Sequence, residues 1–171
     1  MINKLSLASL GLVLLSSSVF AHGPTPQRVD EHINIDADVA TVWQKVNAFD
    51  QLDKWHPAVE SITMQDEATR IVTLKSGGEI TESLDESDAD RHYIGYRLLT
   101  ENIEAIPVSF YTIGIEVEAA DTGSKVSWSG RFYRADTGNF PPENLNDEAA
   151  VKAMTEYAKS GLEGLKASLE K

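Results

Sequence analysis

The chain has 171 residues, with 15 Lys and Arg against 27 Asp and Glu, a formal charge of −12, and no cysteine. The lack of cysteine excludes disulfides, thiolate metal sites and cysteine nucleophiles, so packing alone must hold the fold. The acidic balance repels nucleic acid and anionic membranes; it either favours a cationic partner surface or serves solubility alone.

Residues 1–21 have the layout of a secretory signal peptide. Lys4 supplies a positive start, Leu5 to Leu15 is an apolar run too short to span a bilayer, and Val19 and Ala21 are the small residues before a cut. The other reading is a retained anchor, but no longer apolar run follows and no cysteine is available for a lipid. Cleavage would leave residues 22–171, where 14 basic residues face 27 acidic ones, because Lys4 is the only charge in the leader. That is one domain, periplasmic or secreted, with no membrane span after cleavage. It is long enough to bury roughly two thirds of its unfolded surface.

His22 to Gln27, with two prolines and a glycine, reads as an extended lead-in. Arg28 to Asp36 alternates, with Val29, Glu31, Ile33 and Ile35 on one face, the pattern of a half-buried strand. Asp38 is placed to cap a helix over residues 39–46, where Val39, Val42, Trp43 and Val46 form one apolar face. A second short helix follows at residues 50–54 and stops at Pro57. Residues 59–65, 69–75, 79–84, 92–100, 108–119 and 125–134 read as strands. Asp66-Glu67, Ser76-Gly77-Gly78, residues 86–90 and residues 121–124 are the turns between them. Seven strands joined largely by hairpins imply an antiparallel meander. Residues 136–146 form a loop containing Gly138, Pro141 and Pro142. Residues 147–171 then form one long helix with an apolar stripe through Ala150, Met154, Tyr157, Gly161, Leu162 and Leu165. Gly161 and Gly164 weaken that helix intrinsically, and their small size lets the sheet or a ligand approach closely.

Strand phase selects the side chains that face the helix. Val126, Trp128, Gly130 and Phe132 share a face, as do Tyr111, Ile113, Ile115 and Val117. His92, Ile94, Tyr96 and Leu98 share another, and Ile80, Glu82 and Leu84 a fourth. Glu82 is therefore a carboxylate in phase with apolar residues. An inward acid in an apolar cavity has a raised pKa and suits a ligand anchor or a general acid; the alternative is a bulge that returns it to solvent. Tyr96, Tyr111, Trp128 and Phe132 read equally as pocket wall or as core. Trp55-His56-Pro57 reads either as a structural lip or as a cavity mouth where His56 acts as acid/base or polar contact. The candidate pocket residues are thus Trp55, His56, Glu82, Tyr96, Tyr111, Trp128 and Phe132. After cleavage, His22 would offer an amine and an imidazole together, a chelate suited to Cu(II). His32, His56 and His92 do not extend it into a recognisable ligand pattern, so no metal and no cofactor is expected. No nucleophile elbow, GxGxxG, P-loop or HExxH is present, so a hydrolase triad is not indicated.

The segment Ile33 to Ile62, with Val42-Trp43 and Trp55-His56-Pro57, resembles the opening of the START/Bet v1-like (SRPBCC, polyketide cyclase/dehydrase-like) superfamily. The resemblance implies an α+β helix-grip fold, a seven-stranded curved antiparallel sheet around a long C-terminal helix, with two short helices after strand 1 and a cavity between sheet and helix. Residues 22–27 (HGPTPQ), Gly77-Gly78 with Ile80-Thr81-Glu82, residues 126–133 (VSWSGRFY), Pro141-Pro142, Ser160-Gly161-Leu162 and Leu165-Lys166 further resemble the periplasmic MxaD-like subgroup. That subgroup implies an accessory role beside a periplasmic quinoprotein (methanol-type) dehydrogenase and its cytochrome. The reading is an exported protein that binds a small apolar ligand or serves as such an accessory, rather than an enzyme. The alternative is a cyclase or dehydratase using His56 or Glu82 as acid/base.

Overall fold

The structure, a computed structural model, describes residues 23–170. The leader at residues 1–21 and His22 lie outside the described residues. β1 (Gln27–Ile35) is followed by α1 (Val39–Asn47), a 3-10 segment (Phe49–Lys54) and β2 (Val59–Met64). Then come β3 (Thr69–Leu74), β4 (Glu79–Asp88), β5 (Tyr93–Thr100), β6 (Val108–Ala119), β7 (Ser124–Arg134), a 3-10 turn (Glu143–Leu145) and α2 (Asp147–Leu169). The strands form one antiparallel sheet in the order β1-β7-β6-β5-β4-β3-β2. β2 to β7 are the expected meander, and β1 pairs with β7 along its own whole length, from Gln27 opposite Phe132 to Ile35 opposite Ser124. This is the helix-grip architecture.

The inner face of the sheet is apolar by alternation: Tyr111, Ile113, Ile115 and Val117 on β6, and Val126, Trp128 and Phe132 on β7, are all buried, and Val108 joins them across a register shift at Val108/Phe110. α2 covers that face with Ala150, Met154, Ala158, Gly161, Leu162 and Leu165, lying over β1 and β7. Both of its ends are pinned. At the N-terminus Asn146 caps it, and Arg134 bonds Asp147 at 2.7 Å while holding the carbonyls of Asp136 and Gly138. At the C-terminus Lys166 donates to the Asn34 carbonyl, and Glu170 accepts from the Asp36 amide. α1 starts at Asp38, whose side chain accepts from the Thr41 amide, and it buries Val42, Trp43 and Val46.

Two local expectations change. β4 runs on to Asp88, past the expected stop at residue 84, because Glu86, Ser87 and Asp88 pair with Gly95, Ile94 and Tyr93 beyond a bulge at Leu84/Glu86. His92 falls outside β5, which begins at Tyr93. It sits in the preceding turn at φ 52°, with its ring edge-on to Trp43 at 5.7 Å.

Candidate functional site in the sheet–helix gap

β3 and β4 place Arg70 directly opposite Glu82 on the inner face. Two long charged side chains there would be costly unless they met, and they do. Arg70 Nε and Nη2 lie 2.7 and 2.6 Å from Glu82 Oε2, with both residues almost fully buried. Arg70 Nη1 donates to the Phe49 carbonyl at 2.7 Å. The guanidinium lies 3.8 Å from the Phe49 ring centroid and 5.2 Å from that of Tyr96, so aromatic faces take up its remaining surface. The other carboxylate oxygen, Oε1, accepts the Tyr111 hydroxyl. Burial alone would lower the Arg70 pKa, but the Glu82 charge beside it holds the guanidinium above its ordinary value. A register shift between Thr81 and Glu82 in the β4–β5 ladder sits at this position, the kind of bulge that re-aims a side chain.

Around this pair the sheet and α2 meet along a narrow, closed gap lined by Glu82, Tyr96, Ile106, Tyr111, Ile113, Trp128, Met154 and Tyr157. It is smaller than the usual pocket for a drug-sized ligand, and no part of it is wide enough to centre a water molecule. Four of the residues chosen from strand phase, Glu82, Tyr96, Tyr111 and Trp128, line this one gap. Phe132 is fully buried in the core and does not line it.

Trp55 and His56 are also buried, at 7% and 1% exposure, so His56 does not stand at an open mouth. The ring of His56 packs 4.1 Å from that of Tyr157 and 5.8 Å from that of Trp128, while Trp55 stands edge-on to Trp128 at 6.2 Å. Its Nδ1 accepts the Ala58 amide at 3.2 Å, so the neutral ring carries its proton on Nε2. Burial pushes the His56 pKa down to about 3, only partly offset by the facing Tyr157 backbone. The glycines of α2 explain how the helix reaches this segment. A Cβ on Gly161 would stand 2.8 Å from both His56 Nε2 and Trp128 Cζ3, and one on Gly164 would stand 2.1 Å from the Trp55 carbonyl oxygen.

Arg70 and Tyr157 were not among the residues singled out from the sequence. Arg70 alternates with Val72 and Leu74, the same signal that marked Glu82 beside Ile80 and Leu84. Tyr157 lay in the apolar stripe of the last helix. Among the described residues, no cluster of three His, Asp or Glu side chains is arranged to hold a metal ion.

Residues 26–170 match the family described as polyketide cyclase/dehydrase and lipid transport. The chain belongs to this family. Among curated proteins, none matches the sequence. Solved structures share the fold. An uncharacterized protein from Bacillus thuringiensis superposes with a TM-score of 0.73 at 23% identity, covering 85% of this chain and 100% of that one. The protein XoxI from Bacillus cereus gives 0.71 at 24% identity, over 83% of this chain and 94% of that one. The Zhui aromatase/cyclase from Streptomyces sp. R1128 gives 0.65 at 17% identity, over 85% and 94%. In this member of the family, the gap under α2 carries the most unusual chemistry of the interior, a paired charge among tyrosines.

Proposed function

We propose that this is an exported, non-catalytic member of the family that binds a small apolar ligand between α2 and the inner face of the sheet. The observation that carries this reading is the lining of this closed gap. It is walled by aromatic and aliphatic side chains, and Met154, unbranched and adaptable, forms part of it. The gap is narrow, so binding requires these side chains and Tyr157 to move; a ligand would then select that opened form. Export rests on the Lys4, Leu5–Leu15 and Val19/Ala21 pattern of the leader. Native mass spectrometry of the protein released from periplasm tests both parts: it should show a mature chain starting at His22 with a bound small molecule.

Catalysis by Glu82 or His56 would require each to give up contacts it makes here. Glu82 has both oxygens engaged by Arg70 and Tyr111, and His56 is held neutral with Nε2 against the helix. A cyclase or dehydratase role thus has less support than binding.

A second reading, an accessory role beside a periplasmic quinoprotein dehydrogenase and its cytochrome, is supported by the MxaD-like run of motifs. It is also supported by Phe140, which is 96% exposed at the tip of the loop before α2. It gives an apolar contact point beside Pro141, and the acidic surface of the protein would complement a partner with a basic one. Recovery of a dehydrogenase or cytochrome from periplasm, weakening with salt, would test it.

A further inference from the structure

The outer face of the sheet, on the side away from α2, sorts its charges unevenly. Register places Arg97 on β5, Thr112 on β6, Arg131 on β7 and Arg28 on β1 in one row across four strands. Three arginines thus share a line in a chain with 15 basic residues against 27 acidic ones. Arg131 and Arg28 stand directly opposite one another, and like charges so placed ordinarily destabilise a sheet. Arg97 reaches Asp85 at 2.8 Å and Arg28 reaches Asp30 at 2.9 Å. Both pairs lie at the surface and contribute little. Arg131 is exposed and takes part in none of the ion pairs among the described residues. On one side of the row the same face is apolar. Leu99, two residues past Arg97, is 48% exposed, and Phe110, two residues before Thr112, is 39% exposed and pairs with Tyr133 on β7. On the other side Gly95, Gly114 and Ser129 lie side by side. They floor a hollow of about 350 Å³ edged by Tyr93, Asp85, Glu86, Thr112 and Arg131. The two carboxylates at its edge are already held by Arg97 and Arg91, which leaves Arg131 as its free charge.

We propose that this outer face docks an acidic, amphipathic segment of a partner protein, with carboxylates on the arginine row and apolar side chains on Leu99 and Phe110. An arginine fork takes a carboxylate through two parallel hydrogen bonds. A carboxylate set between Arg131 and Arg28 also relieves their repulsion. The apolar strip runs beside the row at about 7 Å, two residues along a strand. The segment must therefore carry acidic and apolar side chains on neighbouring stripes, as an amphipathic helix does. A basic segment would meet the arginines with like charge. An anionic membrane would spread its charge past the row to Glu116, which stands opposite Tyr93 beyond the glycines. A narrow segment avoids that, because charges more than about 10 Å away are largely screened near 0.1 M salt. The face is separate from the gap under α2, so this docking is independent of interior binding.

The test follows the backbone amide signals of nitrogen-15-labelled protein by NMR at about 0.15 M salt. The probes are the peptide acetyl-DELLDELLDELF-amide, its lysine counterpart acetyl-KKLLKKLLKKLF-amide, and phosphatidylglycerol vesicles. The acidic peptide should move the signals of Arg97, Leu99, Phe110, Thr112 and Arg131 saturably, and the lysine peptide should not. Arg131→Glu, an exposed site whose exchange should leave the thermal midpoint unchanged, should weaken the acidic peptide roughly tenfold, the worth of one charged hydrogen bond. Phe110→Ser should weaken it as well. The proposal is overturned by no response on this face, by equal binding of the lysine peptide, or by unchanged affinity in Arg131→Glu. It is equally overturned if the face responds to the vesicles and not to the peptide, which assigns it to a membrane. A response on concentrating the protein alone, with none to the peptide, assigns it to a second copy and overturns the proposal too.

Discussion

Arg70 and Glu82 stand directly opposite one another on β3 and β4, with the guanidinium 2.6 Å from the carboxylate and both side chains out of solvent. The pair sets the polarity of the whole gap, because it satisfies its own charge and leaves the Tyr157 hydroxyl and Trp128 Nε1 without partners in the protein. Removing one member should expose the cost of the other. Glu82→Leu or Arg70→Met is expected to destabilise the fold by about 3–5 kcal/mol, while the double variant recovers most of that loss. Urea denaturation of the four proteins measures both the loss and the coupling.

The helix glycines give a prediction of opposite sign to helix propensity. Replacing a mid-helix glycine by alanine ordinarily gains about 1 kcal/mol. At Gly164 the added Cβ would meet the Trp55 carbonyl oxygen at 2.1 Å, a backbone atom that cannot rotate away. Gly164→Ala should therefore lower stability, by about 1–3 kcal/mol, read as a reduced urea midpoint.

The depressed His56 pKa makes stability depend on pH. In the unfolded chain the ring takes a proton as pH falls through its ordinary value of 6.5, and in the folded protein it resists until about 3. The unfolded state thus binds more protons between these values, and this residue's contribution to stability falls as pH drops through that window. Between pH 7 and pH 5 the loss should reach about 2 kcal/mol. Comparing wild type with His56→Gln by urea denaturation at the two pH values isolates the effect from that of the many carboxylates.

Phe140 contributes nothing to the core at 96% exposure. Phe140→Ser should leave the thermal midpoint unchanged and weaken recovery of a periplasmic partner. Equal recovery by both proteins would remove this residue from the accessory reading.

Much of the fold was legible because period-two and period-3.6 patterns are local. The inner-face assignments on β6 and β7 follow from alternation alone, and Asp38 marked the start of α1 by its capping chemistry. The pairing of β1 with β7 joins the first and last strands of the chain, and local pattern did not state it. Glu82 was legible as an inward acid, but its partner was not, since the opposition of Arg70 depends on the register across the β3–β4 turn. The same phase argument applied to Arg70, Val72 and Leu74 would have found it. Gly130 shows the other limit. It shares the inner face in phase, yet a Cβ there would meet the Thr112 carbonyl oxygen at 2.1 Å, so it is a point of close strand approach and not a place to fill a pocket.

The most direct test of interior binding is a titration with acetophenone followed through tryptophan emission, because Trp128 lines the gap, comparing wild type with Ile106→Phe, which fills the gap from the loop side. The account predicts a saturable emission change in the wild-type protein that is lost in the folded variant. A wild-type response that does not saturate, or one equally strong in Ile106→Phe, would contradict it.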